Sequence, residues 1–232
     1  MTFSSLRILL LPLLALLVFA GCDSSSSSGT IPGANTMADG STPDARYRVT
    51  FNATWGETAP PQFPSGPHFS PLVGAIHNSS KVFWASGATA SDGIESMAET
   101  GATATFANEI RAAITANTAG AILSRGGVIN APATVSFEFE ISETYPLVTL
   151  VTMIAPSPDW FAGVRDLALF ENGAWLATKT VNLFAYDAGT DSGNDFTSAN
   201  DDTQPPNNIA LLTSHDFDGN KIGTFTFTRL TN

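Results

Sequence analysis

The chain contains one cysteine, Cys22, so an internal disulfide is excluded and the folded body must hold by packing alone. It is also poor in charge: Asp, Glu, Lys and Arg make up 13% of the 232 residues, about half the usual share. Cations are the scarcer sign, ten Lys and Arg against 21 Asp and Glu, for a formal net charge of −11. A nucleic-acid surface needs clustered Lys and Arg to meet phosphates, so that class of partner is excluded. No apolar run reaches the roughly 20 residues of a membrane-spanning helix. There is no phosphate loop, no Gly-x-Gly-x-x-Gly, no His-Glu-x-x-His and no Gly-x-Ser-x-Gly elbow. The three histidines, His68, His77 and His215, are not spaced as zinc ligands. No internal repeat is present. What remains is a globular composition, 43% hydrophobic, with a surface of Ser, Thr and Asn. That balance suits an exported β-protein, and its acidity suits a cation.

The N-terminus carries one positive charge, Arg7, then an apolar run from Ile8 to Phe19 broken by Pro12, then Ala20-Gly21-Cys22. These are the parts of a secretory signal peptide over residues 1–21. Phe19-Ala20-Gly21-Cys22 resembles a bacterial lipobox, with Phe19 where an aliphatic residue is usual. The resemblance implies cleavage before Cys22, lipid on its sulfur and an exported protein anchored to a bacterial membrane, in the cell envelope or on the cell surface. An ordinary signal with a free N-terminal thiol is the alternative. Residues 22–45 open with Cys22, Asp23 and five serines and hold almost no large apolar residues. Such a stretch cannot bury enough surface to fold and is expected to act as a flexible tether. A coil of about 22 residues spans on the order of 25 Å, enough to display a domain clear of lipid head groups.

The body, residues 46–232, is patterned mainly as strands. Arg46 to Trp55 alternates, with Tyr47, Val49, Phe51, Ala53 and Trp55 on one face. Thr134 to Ser142 repeats the pattern, and Leu147 to Ile154 is nearly continuously apolar, as a central strand would be. Further strands are expected at 166–170, 174–183, 209–213 and 222–230, with Asp218-Gly219 as a turn before the last. Two helices are expected, 94–99 with Asp92 and Glu95 as a capping box, and 105 to about 117 with Phe106, Ile110, Ala113 and Ile114 on one face. Together these predict an antiparallel β-sandwich or barrel with one or two short helices in its connections.

Asp187 and Asp191 lie four apart across Gly189, which lets the backbone turn sharply. Calcium takes six to eight oxygens, and two such carboxylates with loop carbonyls can supply several. The spacing is not that of an EF-hand, because Gly189 takes the third loop position and Ser192 the sixth. Asp residues beside Gly and Ser also form Asx-turns with no metal, so both readings stand on the residues alone. Asp166 and Asp195 are possible further acids. Asp216 and Asp218 suggest either a second site or a hairpin turn. Asp191-Ser192-Gly193 is read as a turn and not as a nucleophile loop.

The longest motif is Pro156-Ser-Pro-Asp159-Trp160-Phe-Ala-Gly163-Val164, followed by Tyr186-Asp187-Ala-Gly189-Thr-Asp191-Ser-Gly193. Together with Thr54-Trp55, with Pro67-His68-Phe69-Ser70-Pro71 running on to His77, and with Ala90 to Gly93 leading to Ala98-Glu99-Thr-Gly101, it resembles the spondin domain, the N-terminal module of F-spondin and related matrix proteins. The resemblance covers roughly residues 46–230. It implies a C2-like antiparallel sandwich with calcium held in loops at one end, and Asp159, Asp187 and Asp191 match the metal-binding acids. It also implies an adhesion or scaffold module, not an enzyme, whose partner is a matrix or cell-surface macromolecule. Animal members carry cysteines and extra domains that this chain lacks, so their partners do not carry over. The competing reading is a metal-dependent hydrolase of extracellular sugars or lipids, which requires a histidine beside the aspartates.

Overall fold

The computed structural model describes residues 34–35, 44–56, 63–215, 217 and 219–231. The export signal over 1–21, Cys22 and most of the 22–45 tether lie outside the described residues, as do Asp216 and Asp218.

The chain opens with β1 (Ala34–Asn35), β2 (Ala45–Ala53), β3 (His68–Phe69) and β4 (Leu72–His77). Two helices follow, α1 (Asp92–Thr100) and α2 (Ala104–Thr115), then β5 (Ala119–Arg125), β6 (Ile129–Asn130), β7 (Ala133–Ile141) and β8 (Leu147–Ala155). The last third holds β9 (Trp160–Ala168), β10 (Phe170–Glu171), β11 (Ala174–Trp175), β12 (Thr178–Leu183), β13 (Ala185–Asp187), β14 (Ala210–Leu211) and β15 (Gly223–Arg229).

These strands build a mainly antiparallel sandwich. One sheet runs β1–β7–β2–β15–β12, with β1 alone in parallel. The other runs β14–β13–β9–β8–β3–β6, and β4 joins it between β8 and β5. Alternation dictates the first sheet: Tyr47, Val49 and Phe51 are buried while Arg48 and Asn52 are exposed. Phe51 lies opposite Phe225 and Val135 in register, so aromatic and branched residues line the inner face. That face closes on Leu72, Ile76, Leu150, Ile154 and Trp160 of the second sheet. The second sheet is covered on its other side too. Val73, Ala75, Val151, Met153 and Phe161 pack under Ile94, Met97, Phe106 and Ile110 of the helices.

The two helices are clamped by a carboxylate that spacing alone does not identify. Ser91, not Asp92, is the N-cap of α1, its hydroxyl accepting from the Ile94 amide. Glu109 on α2, not Glu95, supplies the carboxylate at this cap: it accepts from the Gly93 amide at 2.7 Å and the Ser91 hydroxyl at 2.8 Å. Gly93 allows this approach, since a Cβ there would sit 2.7 Å from the Phe106 Cα.

Other expectations shift in detail. The strand expected at 166–170 spans the tail of β9, which begins at Trp160, and the first residue of β10. Asp166 sits at the irregularity opposite Thr149, with φ of 49°. The strand expected over 174–183 is interrupted at Leu176, whose carbonyl accepts from the Tyr47 hydroxyl. Only Ala210–Leu211 of 209–213 pairs as a strand. Strands β4 and β5 were not expected: β4 is buried at all six positions and therefore shows no alternation. Within the stretch expected as a tether, Ala34 and Asn35 pair with Glu138 and Phe139, and Ala45 already belongs to β2. His77 and Ser70 are bonded inside the fold, His77 Nε2 to Thr149 Oγ1 at 2.8 Å and Ser70 Oγ to the Met153 amide at 2.9 Å.

Replacing Glu109 by Ala strands the Gly93 amide and is expected to lower unfolding free energy by about 1–3 kcal/mol in urea melts. Glu95→Ala is expected to change it by less than about 0.5 kcal/mol. Equal effects would show that Glu109 is not the clamp.

Candidate metal centre

Chain crossing between the sheets brings the aspartates together. β12 ends in the first sheet at Leu183, and two residues later β13 joins the second, antiparallel to β9. Asp187 then lies opposite Trp160, beside Asp159 at the head of β9. Beyond Asp187 the chain turns at Gly189, with φ of 77°, where a Cβ would stand 2.5 Å from the Asn207 carbonyl oxygen. Only glycine meets both demands. The loop is pinned on its far side, the Asn207 amide donating to the Gly189 carbonyl and the Ser192 amide to that of Asp201.

Asp159 is fully buried. Its Oδ2 accepts from the Thr190 amide at 2.8 Å and the Asp191 amide at 3.1 Å, with the Thr190 hydroxyl at 3.3 Å. Its Oδ1 is buried and has no hydrogen-bond partner. Burial, then the neighbouring Asp187 carboxylate, pushes Asp159 up to about 6, against the three bonds that favour its charged form. Asp187 is also raised, by burial and by Asp191, with the Gly189 amide at 2.8 Å opposing. Asp191 accepts from the Gly193 amide on Oδ1 at 2.6 Å and from the Asp201 amide on Oδ2 at 3.1 Å. Asp187 and Asp191 therefore do form Asx-type turns, as their spacing allowed. Those turns do not use Asp159 Oδ1, a buried anionic oxygen of the kind a cation satisfies.

Among the described residues, no three His, Cys, Asp or Glu side chains stand close enough together to grip an ion as they are. The three aspartates share an electrostatic neighbourhood, with Asp187 coupled to both others, without forming a closed cage.

The Spondin_N family model matches residues 45–225. This chain belongs to the Spondin_N family. Spondin-2 of Homo sapiens is 37% identical over 175 residues, 73% of this chain and 53% of that protein. Spondin-1 of Rattus norvegicus is 37% identical over 180 residues, 74% of this chain and 22% of that protein. Spondin-1 of Gallus gallus is 34% identical over 203 residues, 84% and 25% respectively. The chain thus spans about half the length of spondin-2 and about a quarter of spondin-1.

In this Spondin_N domain the two further acids suggested by spacing have other charged neighbours, although Asp195 lies within the aspartate loops. Asp166 pairs with Arg165 at 2.9 Å and lies 3.7 Å from His77. Asp195 lies 3.7 Å from His215. A different acid, Glu99 at the end of α1, faces the loop: burial raises it, the Thr190 hydroxyl opposes, and Glu95, Asp202 and Asp191 raise it further. Nothing in local spacing marks Glu99, 60 residues before Asp159; it becomes a neighbour only when α1 packs on the second sheet. The histidines do not gather at the site. His68 is paired along β3, His77 is buried beside Thr149, and His215 packs tilted with its ring centroid 5.0 Å from that of Trp160 and its Nε2 3.7 Å from Asp195.

A carboxyl whose folded pKa is raised binds protons more readily folded than unfolded, so its contribution to stability grows as pH falls through that window. For Asp159 the window runs from about 6 down to the ordinary 3.8. In chelator, wild type is expected to gain on the order of 2–3 kcal/mol relative to Asp159→Asn between pH 7 and pH 4. His77 is lowered chiefly by burial and contributes the opposite slope, but both proteins share it, so it cancels in the comparison. Thermal melts of the pair across pH check this, and a difference that stays flat would show that Asp159 is not held under strain.

Proposed function

We propose that this chain is a calcium-binding spondin-type module displayed on the bacterial cell envelope for adhesion or scaffold contacts, with a lipidated Cys22 as anchor. The single observation that carries the calcium reading is Asp159, fully buried with one carboxylate oxygen unpartnered and with Asp187 raising its pKa. Membership of the Spondin_N family and the likeness to spondin-1 and spondin-2 support the adhesion reading.

Asp159, Asp187 and Asp191 would hold the ion. It would supply charge neutralisation in a place where the chain's own donors are too few. Asp159 would supply a rigid oxygen from the head of β9. Asp187 and Asp191 would each keep the backbone bond that shapes the loop while turning lone pairs toward the ion. The consequence is order in the 187–207 loops. Asp44 lies beside the start of β2, whereas Trp55 just beyond its end packs 6.0 Å from Phe196 of the aspartate loops. The nine residues of β2 separate these ends by roughly 30 Å at strand rise.

The hydrolase alternative requires a histidine working with the aspartates. His215 lies 3.7 Å from Asp195, contacts the Ser214 hydroxyl and packs tilted against Trp160, which is a packing role, so no observation favours that reading.

A calorimetric calcium titration of chelator-stripped protein is expected to give saturable binding, abolished in Asp187→Asn. If affinity lies at the extracellular scale of about 10⁻⁴–10⁻³ M, millimolar calcium adds roughly 0.4–1.4 kcal/mol of stability. No heat at millimolar calcium and an unchanged melt in chelator would leave the aspartates as turn formers alone.

A further inference from the structure

At the end of the sandwich away from the aspartate loops lies a cleft of about 600 Å³, lined by Asp44, Arg46, Glu140, Trp175 and Arg229 among others. It forms where β2 begins and β15 ends, with the β10–β11 hairpin folded across. Trp175 forms its aromatic wall, held 5.1 Å from Phe170 and 6.2 Å from Tyr47 by ring centroids. The Tyr47 hydroxyl bonded to the Leu176 carbonyl fixes the hairpin in place. Trp55, Trp84 and Trp160 are all deeply buried, whereas Trp175 remains half-buried at the cleft.

The charges around it are set out unevenly. Glu140 lies directly opposite Arg46 in register, yet Arg46 bonds Glu138 at 2.5 Å, and Arg48 bonds the same carboxylate at 2.6 Å. Glu140 is thereby left over. Among the described residues, neither its carboxylate nor the Arg229 guanidinium has a hydrogen bond or ion pair from the protein. One unpaired cation and one unpaired anion thus face a cavity with an indole wall, in a chain whose net charge is −11.

We infer that this cleft binds a short acidic oligosaccharide bearing uronate carboxylates. The Arg229 guanidinium meets the carboxylate in a charge-assisted pair. A pyranose ring presents C–H groups to the Trp175 face, and its hydroxyls donate to Glu140 and Asp44, since ionised carboxylates only accept. A long polyanion is disfavoured by the acidic body, and an apolar ligand by the unpaired charges. The volume falls in the size class of small-ligand clefts, about 300–1,000 Å³. This site is separate from the aspartate loops and does not depend on the calcium reading.

The test is calorimetric titration of the full chain with trigalacturonate in chelator, so that calcium plays no part. Saturable binding is expected, weakened about tenfold or more in Arg229→Gln. Fully methyl-esterified trigalacturonate should bind at least about tenfold more weakly, and Glu140→Gln should weaken binding of both sugars. Because Arg229 and Glu140 make no side-chain bonds among the described residues, both variants should melt with the wild type, and Trp175→Leu provides a further check on stacking. No saturation up to about 10 mM would overturn the inference. So would binding indifferent to Arg229→Gln, or equal binding of a triglutamate peptide of the same charge.

Discussion

The rest of the molecule depends on the burial of the second sheet on both faces. β8 is buried at eight of its nine positions. One face meets the aromatic interior of the first sheet, and the other meets α1 and α2. Such a strand has no solvated side on which to place polar residues, so it reads as a continuous apolar run. Its neighbours inherit the same restriction, which is why β4 is buried throughout. Without disulfides among its described residues, the domain holds because three layers close on this strand and its neighbours. The few polar groups admitted there are hydrogen-bonded: Thr152 to the Ser70 carbonyl at 2.8 Å, and His77 to Thr149.

The aspartate site is built at the rim of that layer, where the constraint relaxes. β9 pairs with β8 along most of its length, and its first residue, Trp160, packs against Phe196 and Phe217. Asp159 is therefore drawn inside by the tryptophan that follows it. Its burial is a consequence of aromatic packing, and the raised pKa is the electrostatic cost of that placement. Three donors from Thr190 and Asp191 offset part of it. The remaining unpartnered oxygen links fold to function, because a bare carboxylate oxygen inside a protein is costly unless something positive or a proton meets it.

The opposite end of the sandwich follows another logic. There the register of β2 against β7 places two arginines and two glutamates on one exposed face, and geometry pairs both arginines with Glu138. The hairpin over the end of β15 adds an aromatic wall and Arg229. The two ends thus differ in character: aspartates with backbone amides at one, mixed charge with an indole at the other.

Much of the fold is legible in the sequence. Half-buried strands such as β2 and β7 follow from alternation, because one face is wet and one is dry. Fully buried strands such as β4 carry no alternation, and the one-residue shift in cap and the replacement of Glu95 by Glu109 reflect a contact between helices that no local window contains. Asp159, Asp187 and Asp191 could be named from motif and chemistry, since residue type and loop glycines are sequence properties. Their electrostatic coupling, the approach of Glu99, the charged neighbours that Asp166 and Asp195 find elsewhere, and the cleft at Trp175 could not. Each depends on strands distant in the chain meeting in register. By itself the sequence determined the class of fold, its acidic character and the residue types able to meet a cation. Tertiary structure alone decided which of those acids lost their water, because desolvation is a property of what packs around a group and not of the group.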